Sequence, residues 1–189
     1  FTDNSILFYF YSFANNKDNL ASLAIPVPVF SGAGRFAIND GVTIMSEIIA
    51  GIHIPDSAVA KAATELVRDT QDVLLYNHSR RVFLWAALTG ERRKLSFDAE
   101  LLYLGAMFHD MGLVPDYSSP DLRFEVDGAN AARDFMRSHA FTEQDIEDVW
   151  AAIALHTTPG IPEHMRPTIA LVTAGVEMDV LGIAYDDFA

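Results

Sequence analysis

The chain has 189 residues, half of them hydrophobic and 21% charged, and its formal net charge at pH 7 is −13. This composition is typical of a globular domain with a sizeable core. The acidic excess disfavours nucleic acid or an anionic membrane as the main partner, and we expect a small-molecule substrate instead. The chain has no cysteine. Disulfides, thiolate zinc sites and a cysteine nucleophile are therefore excluded, and any metal must be bound through nitrogen and oxygen.

Residues 1–52 are predicted to form an irregular N-terminal extension. This part contains an aromatic cluster and the Pro- and Gly-rich stretch "IPVPVFSGAGRF", with a short helix expected near 43–50. The stretch "SILFYFYSF" lacks the basic segment and the small-residue cleavage site of a signal peptide. The chain contains no run of 18 or more apolar residues, so no membrane-spanning helix is predicted. We therefore expect a cytoplasmic protein.

Residues 53–189 are predicted to form a helical domain. Apolar residues recur at helical spacing in this part, and Ser57, Gly90, Gly112 and Thr142 are typical of helix starts or ends. The predicted helices are 55–70, 72–90, 96–112, 128–140, 142–156 and 167–182, with a polar loop over 113–126. This pattern predicts an all-α bundle that follows an irregular N-terminal segment.

The stretch "LLYLGAMFHDMG" (101–112) places His109 and Asp110 at the end of an apolar helix. A titratable pair in a core needs a partner, and a metal ion would be one. His78 lies in the preceding helix among apolar neighbours at helical spacing, so it also faces inward. Taken alone, His78 is more often a hydrogen-bonded core residue than a ligand.

The last helix adds Asp179, a carboxylate on an apolar face within "ALVTAGVEMDVLG". Three separate helices thus direct imidazole or carboxylate groups toward one interior. A set of two histidines and two carboxylates suits one divalent transition metal, with Zn²⁺ as our first choice and Fe²⁺ or Mn²⁺ as alternatives.

The order of a histidine, a His-Asp doublet and a final aspartate resembles the HD superfamily of metal-dependent hydrolases, and in particular its cyanamide hydratase-like branch. Six blocks carry the resemblance, which covers about residues 52–185. They are "IPDS" (54–57), "LLYNHSRRVFLWAALTG" (74–90), "LGAMFHDMGL" (104–113), "RFEVDGANAARDF" (123–135), "AIALHTTPGI" (152–161) and "ALVTAGVEMDVLG" (170–182). Residues 1–35 resemble no known family. The chain ends at "YDDFA", so we expect the C-terminal part of the domain to be incomplete.

The resemblance implies an HD-domain helical bundle with a metal bound by His78, His109, Asp110 and Asp179. It also implies hydration of a nitrile-type carbon, as when cyanamide becomes urea. A bound divalent ion lowers the pKa of its water from about 15.7 to about 7. The substrate nitrogen must then receive a proton by general acid catalysis. Asp110 can serve as both ligand and proton relay, because a carboxylate has two oxygens.

Four further residues are candidates around this centre. His156 is interpreted as a proton shuttle, with helix capping as an equally simple alternative. Thr157 is expected to donate a hydrogen bond to the substrate, and Phe124 to form an apolar wall. Asn77 precedes His78 and is a candidate substrate contact, although surface exposure explains it equally well.

Three rival functions stay open. A nucleotide phosphohydrolase would need cations near the metal, and only Arg80, Arg81 and Arg123 lie close to the motifs in sequence. A degenerate domain would bind a ligand without catalysis, although all four metal ligands are intact. A di-iron oxidase would need additional histidines, for which His139 and His156 are candidates. The sequence also leaves open whether the chain forms a homo-oligomer.

Overall fold

The computed structural model describes residues 47–188, in which a short β-hairpin precedes six α-helices. Strand β1 (Ile48–Ile49) pairs antiparallel with β2 (Ile52–His53). The helices are α1 (Ala58–Thr70), α2 (Val73–Arg92), α3 (Ala99–Phe108), α4 (Phe124–Ser138), α5 (Glu143–Leu155) and α6 (Pro167–Leu181). Single 3₁₀ turns occur at Met111–Leu113, Pro162–His164 and Tyr185–Asp187. The all-α fold is therefore confirmed, and the described residues belong to one compact unit. The division of the chain at residue 52 stays a prediction.

Side-chain caps fix the beginnings of four helices. Ser57, Asp72, Asp98 and Thr142 each accept a hydrogen bond from a backbone N–H in the first turn of the helix that follows. Such caps satisfy donors that have no partner within the helix. Pro167 occupies the first turn of α6, where its missing N–H costs nothing. The capping role predicted for Thr142 is confirmed.

Several predicted boundaries are wrong. The described part of the helix expected at 43–50 is a strand and turn, and residues 43–46 lie outside the described residues. Helix α4 begins at Phe124, so the loop expected over 113–126 is shorter. Glu125 and Asp127 lie in the first turn of α4, where acidic side chains interact favourably with the helix dipole. That sequence signal favours the earlier start.

Helix α3 lies at the centre of the domain. It contacts α1, α2, α4, α5 and α6, and every residue from 101 to 108 is buried. A helix that is apolar on all sides is typical of such a position. Because α3 ends at the centre, His109 and Asp110 emerge deep inside the protein. Among the described residues, no helix is both long and apolar enough to cross a membrane.

Two glycines allow the close packing that builds the site. A Cβ atom on Gly175 of α6 would lie 2.4 Å from the carbonyl oxygen of Val82 on α2. This approach of α2 and α6 brings His78 and Asp179 together. A Cβ atom on Gly112 would lie 2.0 Å from the carbonyl oxygen of Phe124. Gly112 therefore does not end a helix as expected, because α3 already ends at Phe108, and instead admits the start of α4.

Candidate metal centre

Two imidazoles and one carboxylate converge where α2 meets the C-terminal end of α3. Nε2 of His78 lies 3.1 Å from Nε2 of His109 and 3.6 Å from Oδ2 of Asp110. Nε2 of His109 lies 3.2 Å from the same oxygen. All three residues are buried, and His109 has no exposed surface. The structure therefore brings together three of the four predicted metal ligands as one cluster.

The N–H groups of both histidines are used outside this cluster. Nδ1 of His109 donates to the carbonyl oxygen of Ala106 at 2.8 Å. Nδ1 of His78 donates to Oδ2 of Asp179 at 2.7 Å. In each neutral ring the other nitrogen, Nε2, then carries a lone pair. Two nitrogen lone pairs and a carboxylate oxygen thus face one another. These electron-rich atoms repel one another unless a cation lies among them.

The cluster fits a divalent ion. Ligand atoms around a tetrahedral ion with bonds of about 2.0–2.1 Å lie roughly 3.3 Å from one another. The three distances between the ligand atoms of the cluster are 3.1, 3.2 and 3.6 Å, which lie on either side of that value. Imidazole nitrogen and carboxylate oxygen are donors that zinc, iron and manganese accept. His78, His109 and Asp110 would therefore hold the metal.

Asp179 lies beside the cluster, against the other nitrogen of His78. Its two oxygens accept hydrogen bonds from Nε and Nη2 of Arg81 at 2.7 and 2.8 Å. Burial alone raises the pKa of Asp179, but the hydrogen bonds from His78 and Arg81 outweigh it and hold the pKa below its usual value. Asp179 is thus ionised and orients His78, a role common for carboxylates beside metal-binding histidines. Direct binding of the metal by Asp179 stays a prediction.

The charges of the cluster also call for a cation. Burial opposes ionisation of Asp110, yet the neighbouring His109, His78 and His156 keep the pKa of Asp110 well below its usual range. Burial lowers the pKa of His109, but the Asp110 carboxylate outweighs this and raises it. A proton on His109 and a metal ion therefore compete for the same position, as is general for histidine ligands.

His156, the residue after α5, lies on the other side of Asp110. Its Nε2 is 3.8 Å from Oδ1 of Asp110, and its ring centre is 4.9 Å from that of His109. Its Nδ1 donates to the carbonyl oxygen of Ile153 at 2.7 Å, so Nε2 carries a lone pair. Burial, with a contribution from His109, lowers the pKa of His156 to about 4. His156 is therefore neutral at pH 7, and it makes both the predicted helix cap and a contact with the cluster.

Phe124 and Thr157 lie next to His156. The Phe124 ring is 5.7 Å from the His156 ring, edge to face. Its role as an apolar wall for the substrate stays a prediction. The Thr157 hydroxyl donates to the buried Glu125 carboxylate, which also pairs with Arg123. Burial raises the pKa of Glu125, but the hydrogen bonds from Arg123 and Thr157 outweigh it and lower the pKa.

The remaining candidates lie away from the cluster. Asn77 is exposed on α2, and its contact with substrate stays a prediction. His139 is exposed and bonds to the Phe135 carbonyl oxygen, so among the described residues only His156 of the two additional histidines joins the site. Sequence reasoning noted Arg81 only as a cation near the motifs and missed its pairing with Asp179, although Arg81 lies three residues after His78 on the same helix face. It also missed the role of Glu125, which no local pattern indicates because its partner Thr157 is distant in sequence.

Comparison with known proteins agrees with this site. The family model described as HD domain matches residues 75–181, more than half of the chain. The match includes all three residues of the metal cluster and extends to Asp179. No curated protein was found to match the chain. The matched region contains His78, the His109-Asp110 doublet, most of α2 and all of α3 to α6. The chain therefore belongs to the HD domain family of metal-dependent hydrolases.

Proposed function

We propose that this protein is a metal-dependent hydratase or hydrolase that adds water to a small, uncharged, nitrile-type substrate, as in the conversion of cyanamide to urea. The six sequence blocks that resemble the cyanamide hydratase-like branch support this choice. The charge balance of the site supports it independently and carries the proposal. Zinc is our first choice of metal, with iron or manganese as alternatives.

The arginines closest to the motifs are each paired with a carboxylate. Arg81 binds Asp179 through two hydrogen bonds. Arg80 binds Glu47 at 2.7 Å and Arg123 binds Glu125. Recognition of phosphate depends on cationic donors that are free to bind it. Since these three cations already pair with carboxylates, we infer that the site suits an uncharged substrate better than a nucleotide.

The neutral state of His156 defines what it contributes. With its N–H bonded to Ile153, Nε2 is free to accept a proton. His156 can thus take a proton from the attacking water and pass it to the nitrile nitrogen, which makes it a base first and an acid second. The metal, when bound, would acidify a water molecule and polarise the substrate nitrogen. Phe124 would exclude bulk water. Thr157 donates its single hydroxyl proton to Glu125, so it would have to give up that bond to donate to the substrate.

The test combines metal analysis with product analysis. Purified full-length chain is analysed for metal and incubated with cyanamide, and released urea is measured. In parallel, release of inorganic phosphate is measured from a nucleoside monophosphate. One metal ion per chain with urea release is the expected result. Phosphate release without urea would favour the phosphohydrolase, and two irons without urea would favour the oxidase.

A further inference from the structure

A second buried carboxylate lies outside the metal cluster. Glu125 is in the first turn of α4, where side chains are usually exposed, yet its side chain is only 2% exposed. An ionised carboxylate at that depth is unfavourable unless polar partners compensate. Thr157 donates to its Oε1, and Nε of Arg123 donates to its Oε2 at 3.2 Å. Nη2 of Arg123 also approaches the Thr157 hydroxyl, at 3.4 Å.

These bonds join the two chain segments that face the metal cluster. Glu125 follows Phe124, and Thr157 follows His156. The ring centres of Phe124 and His156 are 5.7 Å apart, and those of His156 and His109 are 4.9 Å apart. The bond from His156 to Ile153 fixes its ring relative to its own helix. That bond does not join the His156 segment to α4, whereas the bond between Glu125 and Thr157 does.

We propose that Glu125 is a positioning residue, which acts through Thr157 to hold Nε2 of His156 opposite Asp110 and the Phe124 ring against it. Glu125 does not touch the metal cluster. Arg123 makes its burial possible by supplying the compensating charge. This role adds a positioning residue to the proposed function. The turnover measurement rests on that function, because it measures urea release.

The expected effect is on turnover and not on metal binding. A misplacement of about 1 Å at a catalytic group costs on the order of 10²-fold in rate. Loss of the bond between Glu125 and Thr157 should therefore lower kcat by roughly 10- to 10²-fold. The metal content should stay at the wild-type level, because His78, His109 and Asp110 are unchanged.

Four variants test the bond from both sides. Glu125→Ala and Thr157→Val each remove it, and their combination tests whether the two act through one interaction. Glu125→Gln retains an oxygen that accepts from Thr157, so it should recover most of the turnover. Glu143→Gln is the matched control, because Glu143 is an exposed acid that pairs with Arg137 at the start of α5.

Two readouts are measured on each full-length variant. The first is proton–proton NMR contacts between the His156 ring and the rings of Phe124 and His109, which need no substrate. The second is kcat and KM for urea release per metal-loaded chain. We expect weaker ring contacts and lower kcat in Glu125→Ala and Thr157→Val. The double variant should lose no more than either single one, as for coupled residues.

Unchanged ring contacts and kcat in both single variants would overturn the proposal, even if the melting temperature fell. If Glu125→Ala does not fold, Thr157→Val decides, because it keeps the pair of Glu125 and Arg123. A wild-type chain that releases no urea would overturn the proposed function instead. The ring contacts would then still decide whether Glu125 positions His156.

Discussion

The two sides of the Asp110 carboxylate show how one buried acid serves two kinds of chemistry. On the metal side, Oδ2 faces Nε2 of both His78 and His109 within 3.6 Å. On the His156 side, Oδ1 faces a single neutral imidazole at 3.8 Å. The metal side gathers lone pairs that need a cation. The His156 side presents one lone pair that suits a proton or a substrate N–H.

Each side is supported by a buried carboxylate that pairs with an arginine. Asp179 with Arg81 supports the metal side, and Glu125 with Arg123 supports the His156 side. Asp179 contacts His78 directly, whereas Glu125 acts through the Thr157 hydroxyl. The metal side is therefore fixed by direct bonds, whereas the His156 side, as we propose, depends on how α4 and α5 are joined.

The largest effect is expected on the metal side. His109→Ala should abolish metal binding and activity together, because its Nε2 is central to the cluster and neither function survives without it. Metal content and urea release on the same preparation check this. His164→Ala, which changes an exposed histidine, is the control. Full metal occupancy in His109→Ala would remove His109 from the metal site.

On the His156 side, His156→Ala should lower turnover by roughly 10²–10⁴-fold, the range for a positioned acid or base, and leave the metal bound. His139→Ala is a matched control, since His139 also donates its Nδ1–H to a carbonyl oxygen near its helix end, but in an exposed place. If His156 only caps its helix, turnover stays normal in both variants and the melting temperature falls in both.

The contact between Asp179 and His78 predicts a smaller effect. Asp179→Asn should weaken metal affinity by about 10- to 100-fold, as for a carboxylate that orients a histidine ligand. Titration with Zn²⁺ measures this, and Co²⁺ absorption reports the ligand set. Asp148→Asn is the control, because Asp148 pairs with Arg166 away from the site. Should Asp179 bind the metal itself, the Co²⁺ spectrum of Asp179→Asn changes and a metal-loaded structure shows its oxygen about 2.0–2.2 Å from the ion.

The smallest expected effect is that of Glu125 on the pH dependence of the free energy of unfolding. The pKa of Glu125 in the folded protein is below its usual value of 4.5. A carboxyl whose pKa is lowered by folding stabilises the protein above its unfolded pKa and loses that contribution as the pH falls through the folded value. The advantage of wild type over Glu125→Gln in free energy of unfolding should thus shrink as the pH falls below about 4.5. A constant difference, measured by urea unfolding, would contradict an ionised Glu125.

Sequence patterns were enough to locate the six helices, though not all of their ends, and to find the residues of the metal cluster. Apolar periodicity and the cap at Thr142 are local properties, because a helix makes its hydrogen bonds within a few residues. His78, His109 and Asp110 were found because an imidazole or carboxylate on an apolar helix is unfavourable without a partner. The start of α4 was missed, although the acidic residues of its first turn are a readable signal.

Tertiary structure alone decided which polar groups meet. Asp179 faces Nδ1 of His78 because Gly175 lets α2 and α6 approach, and its carboxylate is shared with Arg81. The hydrogen bond between Glu125 and Thr157 joins residues that are 32 positions apart in the sequence. Which side chain completes a buried hydrogen bond depends on helix packing, since many polar residues have the right chemistry and only geometry selects one. The sequence determined the donors, and packing determined their partners.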